Sequence, residues 1–298
     1  MPIRLEIDVK LEERVYGYRL AFELPTLFRE LRVAEESLTV DGERFYSRDR
    51  AQVILAKPSS GGEARFLVDW HLAALPIIQF PAEATFAEGF KEWLSHMLIL
   101  APIPSQISGD SSGHTLTPNR EVTNLGEWIT GLLALSSTSG AKIDQYLKIV
   151  MPDLKDFKNP VIGRDARTLT VQFQRDQASL AVPFRELSDG EKCFFVGAAV
   201  LASNEAYGPL FCFWDEPDNF LSTSELGDFV MDLRRAFQPA GQFVATSHND
   251  QAIEQFSRGD TFLLGRASHL EPVRVIPASQ ISVDGDFLDS LRRNDIEV

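Results

Sequence analysis

Three short stretches hold the residues whose types and spacing could do chemistry. Asp215-Glu216 follow five apolar residues, Leu210 to Trp214. Such a run, bounded by a turn, reads as a strand buried on both faces, as in a parallel sheet. Open α/β sheets place their ligands at the carboxyl ends of strands. Two carboxylates there need a cation or a polarised water to offset the cost of leaving bulk solvent. The matching chemistry is a Mg²⁺ held at Asp215 and an attacking water oriented at Glu216; the alternative is a solvated loop. Ser188-Asp189-Gly190-Glu191 opens a helical run, Cys193 to Leu201. Ser188, with Glu191 three residues on, is a capping box. The same geometry is a phosphate site, because a helix N-terminus with a hydroxyl and a glycine lets backbone N–H groups approach an anion. Thr246-Ser247-His248 ends a second short apolar run, Phe243-Val244-Ala245. A lone histidine is usually structural, but at the end of a strand beside the one ending in Asp215-Glu216 it is placed to sense a phosphate.

The elements that must position these residues come next. Ile3, Leu5, Ile7 and Val9 alternate with charged residues, and Tyr16, Tyr18, Leu20, Phe22 and Leu24 repeat the pattern, as half-buried strands do. Asp41-Gly42 between two strand-like pieces predicts a hairpin, and Ala51 to Ala56 a further strand of one surface antiparallel sheet. Pro58 to Gly62 reads as a plain loop. Phe86, Phe90, Trp93, Leu94, Met97 and Leu98 form one apolar stripe, which predicts a helix from Thr85 to Leu100. A Pro-, Ser- and Gly-rich loop from Ala101 to Pro118 precedes two helices, about 124–135 and 141–151. Leu169, Val171 and Phe173, then Leu180, Val182 and Phe184, predict a hairpin leading into Ser188. After Asp215-Glu216, Ser222 and Glu225 make a second capping box for a helix that carries Leu226, Phe229, Val230, Leu233, Ala236 and Phe237 on one face and ends at Pro239-Ala240-Gly241. Asn249 or Asp250 caps the next helix. Strands at about 261–264 and 273–276 are expected to close the core sheet.

Composition narrows the class. The 298 residues can bury a sizeable core. No apolar run is long enough for a membrane span, and the N-terminus lacks the h-region of a signal peptide. Cys193 and Cys212 lie in apolar runs and read as buried thiols of a reducing, cytoplasmic compartment. Histidines are few and scattered, which argues against zinc. A net charge of −14 argues against a surface that is wholly a nucleic-acid footprint, though not against a local basic groove.

Taken together and in order, the three stretches resemble known motifs. Leu-Ser-Asp-Gly-Glu-Lys resembles the signature of ABC-type ATPase heads. Phe-Cys-Phe-Trp-Asp-Glu-Pro-Asp-Asn-Phe-Leu resembles their Walker B and D-loop, and Ala-Thr-Ser-His their switch histidine. The Asp-Glu-Pro form and the hairpin before the signature look most like the SMC, RecF and OLD branch of bacterial AAA/ABC-like ATP-binding proteins. The motifs cover about residues 165–280. The resemblance implies an α/β fold, a P-loop NTPase head of ABC type with a mixed or parallel core sheet, an N-terminal antiparallel β region and a helical insert. It divides the chain into a β-rich arm (1–82), a helical subdomain (83–164) and an ATPase lobe (165–298). It implies ATP and Mg²⁺ as cofactors and a second head as partner, two heads closing around two nucleotides. Ser188, Asp189 and Gly190 would meet the γ-phosphate held by the other head. Asp215 would serve Mg²⁺, Glu216 the water and His248 the γ-phosphate, with Asp218 and Asn219 at the subunit interface. DNA or a defence or repair effector subunit is a further partner that the resemblance allows.

One motif is missing. The pattern G-x-x-x-x-G-K-[ST], which grips the β- and γ-phosphates, occurs nowhere, and the nearest stretch, Gly140-Ala141-Lys142, is followed by Ile143. The expectation is an N-terminally truncated or split ATPase, weak or inactive alone. The alternatives are a degenerate head that donates its signature face to a complete partner without hydrolysing ATP, and an interaction protein with no nucleotide role.

Overall fold

The computed structural model describes residues 3–57, 62–80, 84–238, 240–282, 286–293 and 296. Of the loop expected at Pro58 to Gly62, the first four residues lie outside these, as does Pro239. The chain divides into two compact units, Met1–Ser95 and His96–Val298.

The first unit is an antiparallel meander in strict chain order: β1 (Ile3–Leu11), β2 (Arg14–Glu23), β3 (Arg32–Val40), β4 (Glu43–Asp49), β5 (Gln52–Lys57) and β6 (Gly62–Leu67). Asp41 and Gly42 both take positive φ, 51° and 85°, which suits the right-handed twist of a two-residue hairpin. One face of the sheet collects Tyr16, Tyr18, Leu38, Tyr46 and Val53 against α1 (Thr85–Ser95). Phe90 of α1 stacks on Tyr16 with ring centroids 5.0 Å apart. The helix is shorter than its apolar stripe predicts. It ends at Ser95, and Leu98-Ile99-Leu100 form a strand instead. Three apolar residues have no period of their own, so a buried strand following a helix continues the helix's stripe by coincidence.

The second unit holds the predicted chemistry. Its core sheet is parallel, in the order β15 (Gln242–Ala245), β14 (Phe211–Trp214), β7 (Leu98–Leu100). Cys212 and Trp214 of β14 are fully buried, whereas Phe211 and Phe213 on its other face are half-buried, so the burial on both faces that the unbroken apolar run predicts is met on one face only. Between β7 and β14 the chain forms β8 (Asp110–Ser111), α2 (Leu125–Leu135), α3 (Ser137–Val150), β9 (Leu154–Lys158), β10 (Val161–Ile162), β11 (Ala166–Thr168), β12 (Thr170–Arg175), β13 (Ala178–Pro183) and α4 (Asp189–Tyr207). The predicted hairpin is β12–β13, to which β9 adds a third strand. The long helix α4 is apolar nearly all round, and residues 192–203 are all buried; such a helix belongs inside. After β14 come α5 (Thr223–Ala236) and α6 (Asp250–Glu254), on either side of β15 in sequence. Leu226, Phe229, Val230, Leu233 and Phe237 of the α5 segment enter the core that α4 anchors. The strands β16 (Phe262–Gly265) and β17 (Arg274–Pro277) do not close the core sheet. They pair with each other as a separate antiparallel ribbon, before α7 (Phe287–Arg292). Neither strand has a fully buried residue: β16 alternates exposed and half-buried residues, and β17 is exposed in its first half and half-buried in its second, which suits a surface hairpin rather than a strand covered on both faces. No helix among the described residues is long and apolar enough to cross a membrane.

Candidate functional site

Strands β14 and β15 run parallel in register, Trp214 opposite Ala245. Their carboxyl ends therefore deliver Asp215-Glu216 and Thr246-Ser247-His248 to one place. The ladder continues past the strands, with Asp215 N–H donating to the Leu100 carbonyl at 2.8 Å and Thr246 N–H to the Trp214 carbonyl at 3.2 Å.

Thr246 joins the two carboxylate residues. Its hydroxyl donates to Asp215 Oδ1 at 2.6 Å and accepts from Glu216 N–H at 2.9 Å. Glu216 has φ 51°, a left-handed conformation uncommon outside glycine, asparagine and aspartate. There its two oxygens are held from opposite sides. His248 Nε2 lies 3.1 Å from Oε1, and the Asn219 amide donates to Oε2. The His248 side chain is 91% exposed, so its outer edge is open to a ligand. Asp218 is buried. Its Oδ2 accepts the Ser247 hydroxyl at 2.9 Å, while its buried Oδ1 has no hydrogen-bond partner among the described residues. Asp215, Glu216, Asp218, Asn219 and His248 thus meet in one cluster.

Ser188, Asp189 and Gly190 sit at the start of α4. The capping box forms in full: Glu191 N–H donates to Ser188 Oγ at 3.3 Å, and Glu191 Oε2 accepts both the Ser188 N–H and its hydroxyl at 2.7 Å. Gly190 is needed for a reason internal to the chain. A Cβ there would lie 2.8 Å from the Phe220 carbonyl oxygen. The loop after Glu216 therefore rests on the first turn of α4, and the signature stretch adjoins the carboxylate cluster through backbone. Behind this turn Lys192 is buried and donates to the Pro104 carbonyl at 3.3 Å. Burial, with Asp189 nearby, pushes the Cys193 thiol up to about 12, and burial also raises Cys212. Neither thiol is a nucleophile at neutral pH.

Sequence reasoning passed over Thr246, Ser247, Lys192 and Arg120. The guanidinium of Arg120 lies 3.9 Å from Asp215 Oδ2. A hydroxyl at the end of a short strand was a usable signal for Thr246; an arginine 95 positions before its partner gave none.

Among the described residues, no three His, Cys, Asp or Glu gather as a ready-made metal cage. Mg²⁺ does not need one, since it commonly binds one or two carboxylates and completes its shell with waters and substrate phosphates. Asp215 fits that habit, because Thr246 occupies one oxygen and the other, among the described residues, has only the Arg120 guanidinium 3.9 Å away.

No curated protein matches the sequence. Among solved structures, the Smc head domain with a coiled coil and joint from Pyrococcus yayanosii matches with a TM-score of 0.39 and 13% identity, over 55% of this chain and 30% of that one. The SMC head domain from Thermotoga maritima matches with a TM-score of 0.31 and 14% identity, over 81% and 67%. An SmcHead bound to the C-winged helix domain of ScpA matches with a TM-score of 0.40 and 12% identity, over 88% and 73%. The chain thus spans less than a third of the Pyrococcus protein's length. The family model described as "AAA domain, putative AbiEii toxin, Type IV TA system" matches residues 1–254, and this chain, an α/β ATPase-type nucleotide-binding domain, belongs to that family.

Proposed function

We propose that this chain is the signature- and carboxylate-bearing part of a head that binds and hydrolyses Mg-ATP while paired with a second head. The observation that carries the reading is Glu216, held in a left-handed backbone with one oxygen on His248 and the other on Asn219, next to Asp215 with its unbonded oxygen. Mg²⁺ on Asp215 would supply charge neutralisation for the phosphates. Glu216 orients the attacking water and accepts its proton, and His248 fixes the Glu216 carboxylate and offers its exposed edge to the γ-phosphate. The N-terminus of α4, with Ser188, faces a nucleotide gripped by the other head. Binding there releases the Ser188 hydroxyl from Glu191, so the capping box is the resting state of the signature. The loop G-x-x-x-x-G-K-[ST] is not among these residues, and in this reading it joins the site from outside them. That the sequence lacks this loop favours a second reading, a head that donates its signature to a complete partner and turns over no ATP itself.

The two separate in an ATPase assay on the chain assembled with a complete head. Glu216→Gln is expected to slow turnover by about 10²–10⁴-fold while leaving nucleotide-driven pairing intact, and Ser188→Arg is expected to abolish pairing and turnover together. Turnover unchanged by Glu216→Gln but lost with Ser188→Arg selects the donated-signature reading; turnover indifferent to both rejects the two.

A further inference from the structure

Arg120 has a built position at the site. A turn from Asn119 to Val122 closes with Val122 N–H on the Asn119 carbonyl at 3.0 Å. The Asn119 side chain accepts the Thr123 N–H at 2.8 Å and donates to the Thr123 hydroxyl at 2.6 Å, and the Asn124 side-chain Oδ1 accepts the Asn119 N–H at 2.9 Å. Val122 is fully buried with φ 57°. A β-branched residue in the left-handed region is an outlier that persists only where its surroundings enforce it. The Arg120 carbonyl accepts Ala101 N–H at 2.7 Å, and the Glu121 carbonyl accepts Ile103 N–H at 3.2 Å. The turn is therefore clamped to the exit of β7, beside the exit of β14. Its backbone is fixed, yet the Arg120 side chain is 60% exposed and free to reorient.

The charges around it give this position a use. Among the described residues, the side chains that make ion-pair contact with Asp215 and Glu216 are Arg120 and His248, and Arg120 is the permanent cation of the two. Its second carboxylate contact is its neighbour Glu121, at 3.6 Å. A divalent cation arriving at Asp215 meets a guanidinium near the same oxygen. The two cations repel each other unless an anion comes between them, and the guanidinium fork fits phosphate oxygens. We propose that Arg120 is a phosphate-binding residue of this site, which faces Asp215 when the site is empty and turns onto phosphate oxygens when a divalent cation takes Asp215. This rests on the proposed role of Asp215.

The test uses the full chain, with Mn²⁺ as the spin-active cation and pyrophosphate as the anion, followed by electron paramagnetic resonance. Arg120→Ala is expected to tighten Mn²⁺ alone by roughly two- to fivefold, because the competing cation is gone. It is also expected to weaken the gain in Mn²⁺ binding that pyrophosphate confers by about tenfold or more, with Arg120→Lys recovering part of that gain. A merely structural arginine would not move the two in opposite directions. If Mn²⁺ binding depends on Asp215, judged by Asp215→Asn, but Arg120→Ala changes neither quantity, the Arg120 proposal is overturned and the site reading stands. If Mn²⁺ binding ignores Asp215→Asn, both fall.

Discussion

Glu36 is a buried carboxylate that the first unit cannot lose. Its side chain is fully covered and accepts the Tyr18 hydroxyl at 3.0 Å, the Tyr46 hydroxyl at 2.8 Å and the backbone N–H groups of Ala74 and Leu75 at 2.7 and 2.9 Å, with the buried Arg48 3.4 Å away. Deleting one partner of a buried ion pair strands the other, at a cost of about 3–5 kcal/mol. Glu36→Ala should therefore lower the urea midpoint sharply, and Glu36→Gln less so. Burial first, and the Glu36 charge second, push the Tyr18 and Tyr46 phenols well above their ordinary 10.0. With folded values raised, the stabilisation is complete below about pH 10, where the unfolded phenols begin to ionise. It declines as pH rises beyond that, by about 1.4 kcal/mol per pH unit for each phenol. Urea midpoints from pH 8 to 11 should fall above pH 10, and Tyr46→Phe should flatten the fall. None of this was legible in the sequence. Glu36 reads as one more polar residue of an alternating strand, and only the registers bring Arg48 opposite it and Tyr18 and Tyr46 onto the same face.

At the scale of elements, the sequence was clearest where one residue type does one local job. The box at Ser188 and Glu191 forms as the spacing predicts, and so does the Asp41-Gly42 turn. It was least clear where an element is short. Leu98–Leu100 merged into the helix before it and β9 lacked a strong pattern, while β16 and β17 were legible as strands but not in their pairing, which leaves them outside the core sheet. The meeting of the carboxylates and the histidine in one candidate cluster was legible because strand ends announce themselves. The Arg120 turn was not, because a loop's course depends on contacts such as Ala101 with Arg120. The contact of Gly190 with Phe220 couples two elements, α4 and the loop after β14. Gly190→Ala sets a methyl 2.8 Å from a backbone oxygen, so the loop must move. The expected result is a loss of about 1–3 kcal/mol in urea unfolding. On the proposed function, turnover in the assembled head should also fall, because Asn219 shifts off Glu216.

At the scale of the whole molecule, each unit carries its own core. One core is built on Tyr16, Leu38, Tyr46 and Phe90, the other on Trp128, Phe195, Trp214 and Phe229. Units with separate cores are expected to unfold as separate cooperative steps. Tryptophans 70 and 93 belong to the first and 128 and 214 to the second. Urea unfolding followed by fluorescence should show two transitions, and Glu36→Ala should move only the one reported by the first pair. A single transition shifted as a whole would contradict this. The two cysteines have a practical meaning for the second unit. Cys193 and Cys212 are the only thiols of the chain, both covered and both held in the protonated form. The native protein is therefore silent to thiol reagents without any cysteine being removed. A cysteine introduced at an exposed position beside Ser188 would be its one reactive handle, and a disulfide or spin-label pair formed through it would measure the distance between the two members of the pair proposed above.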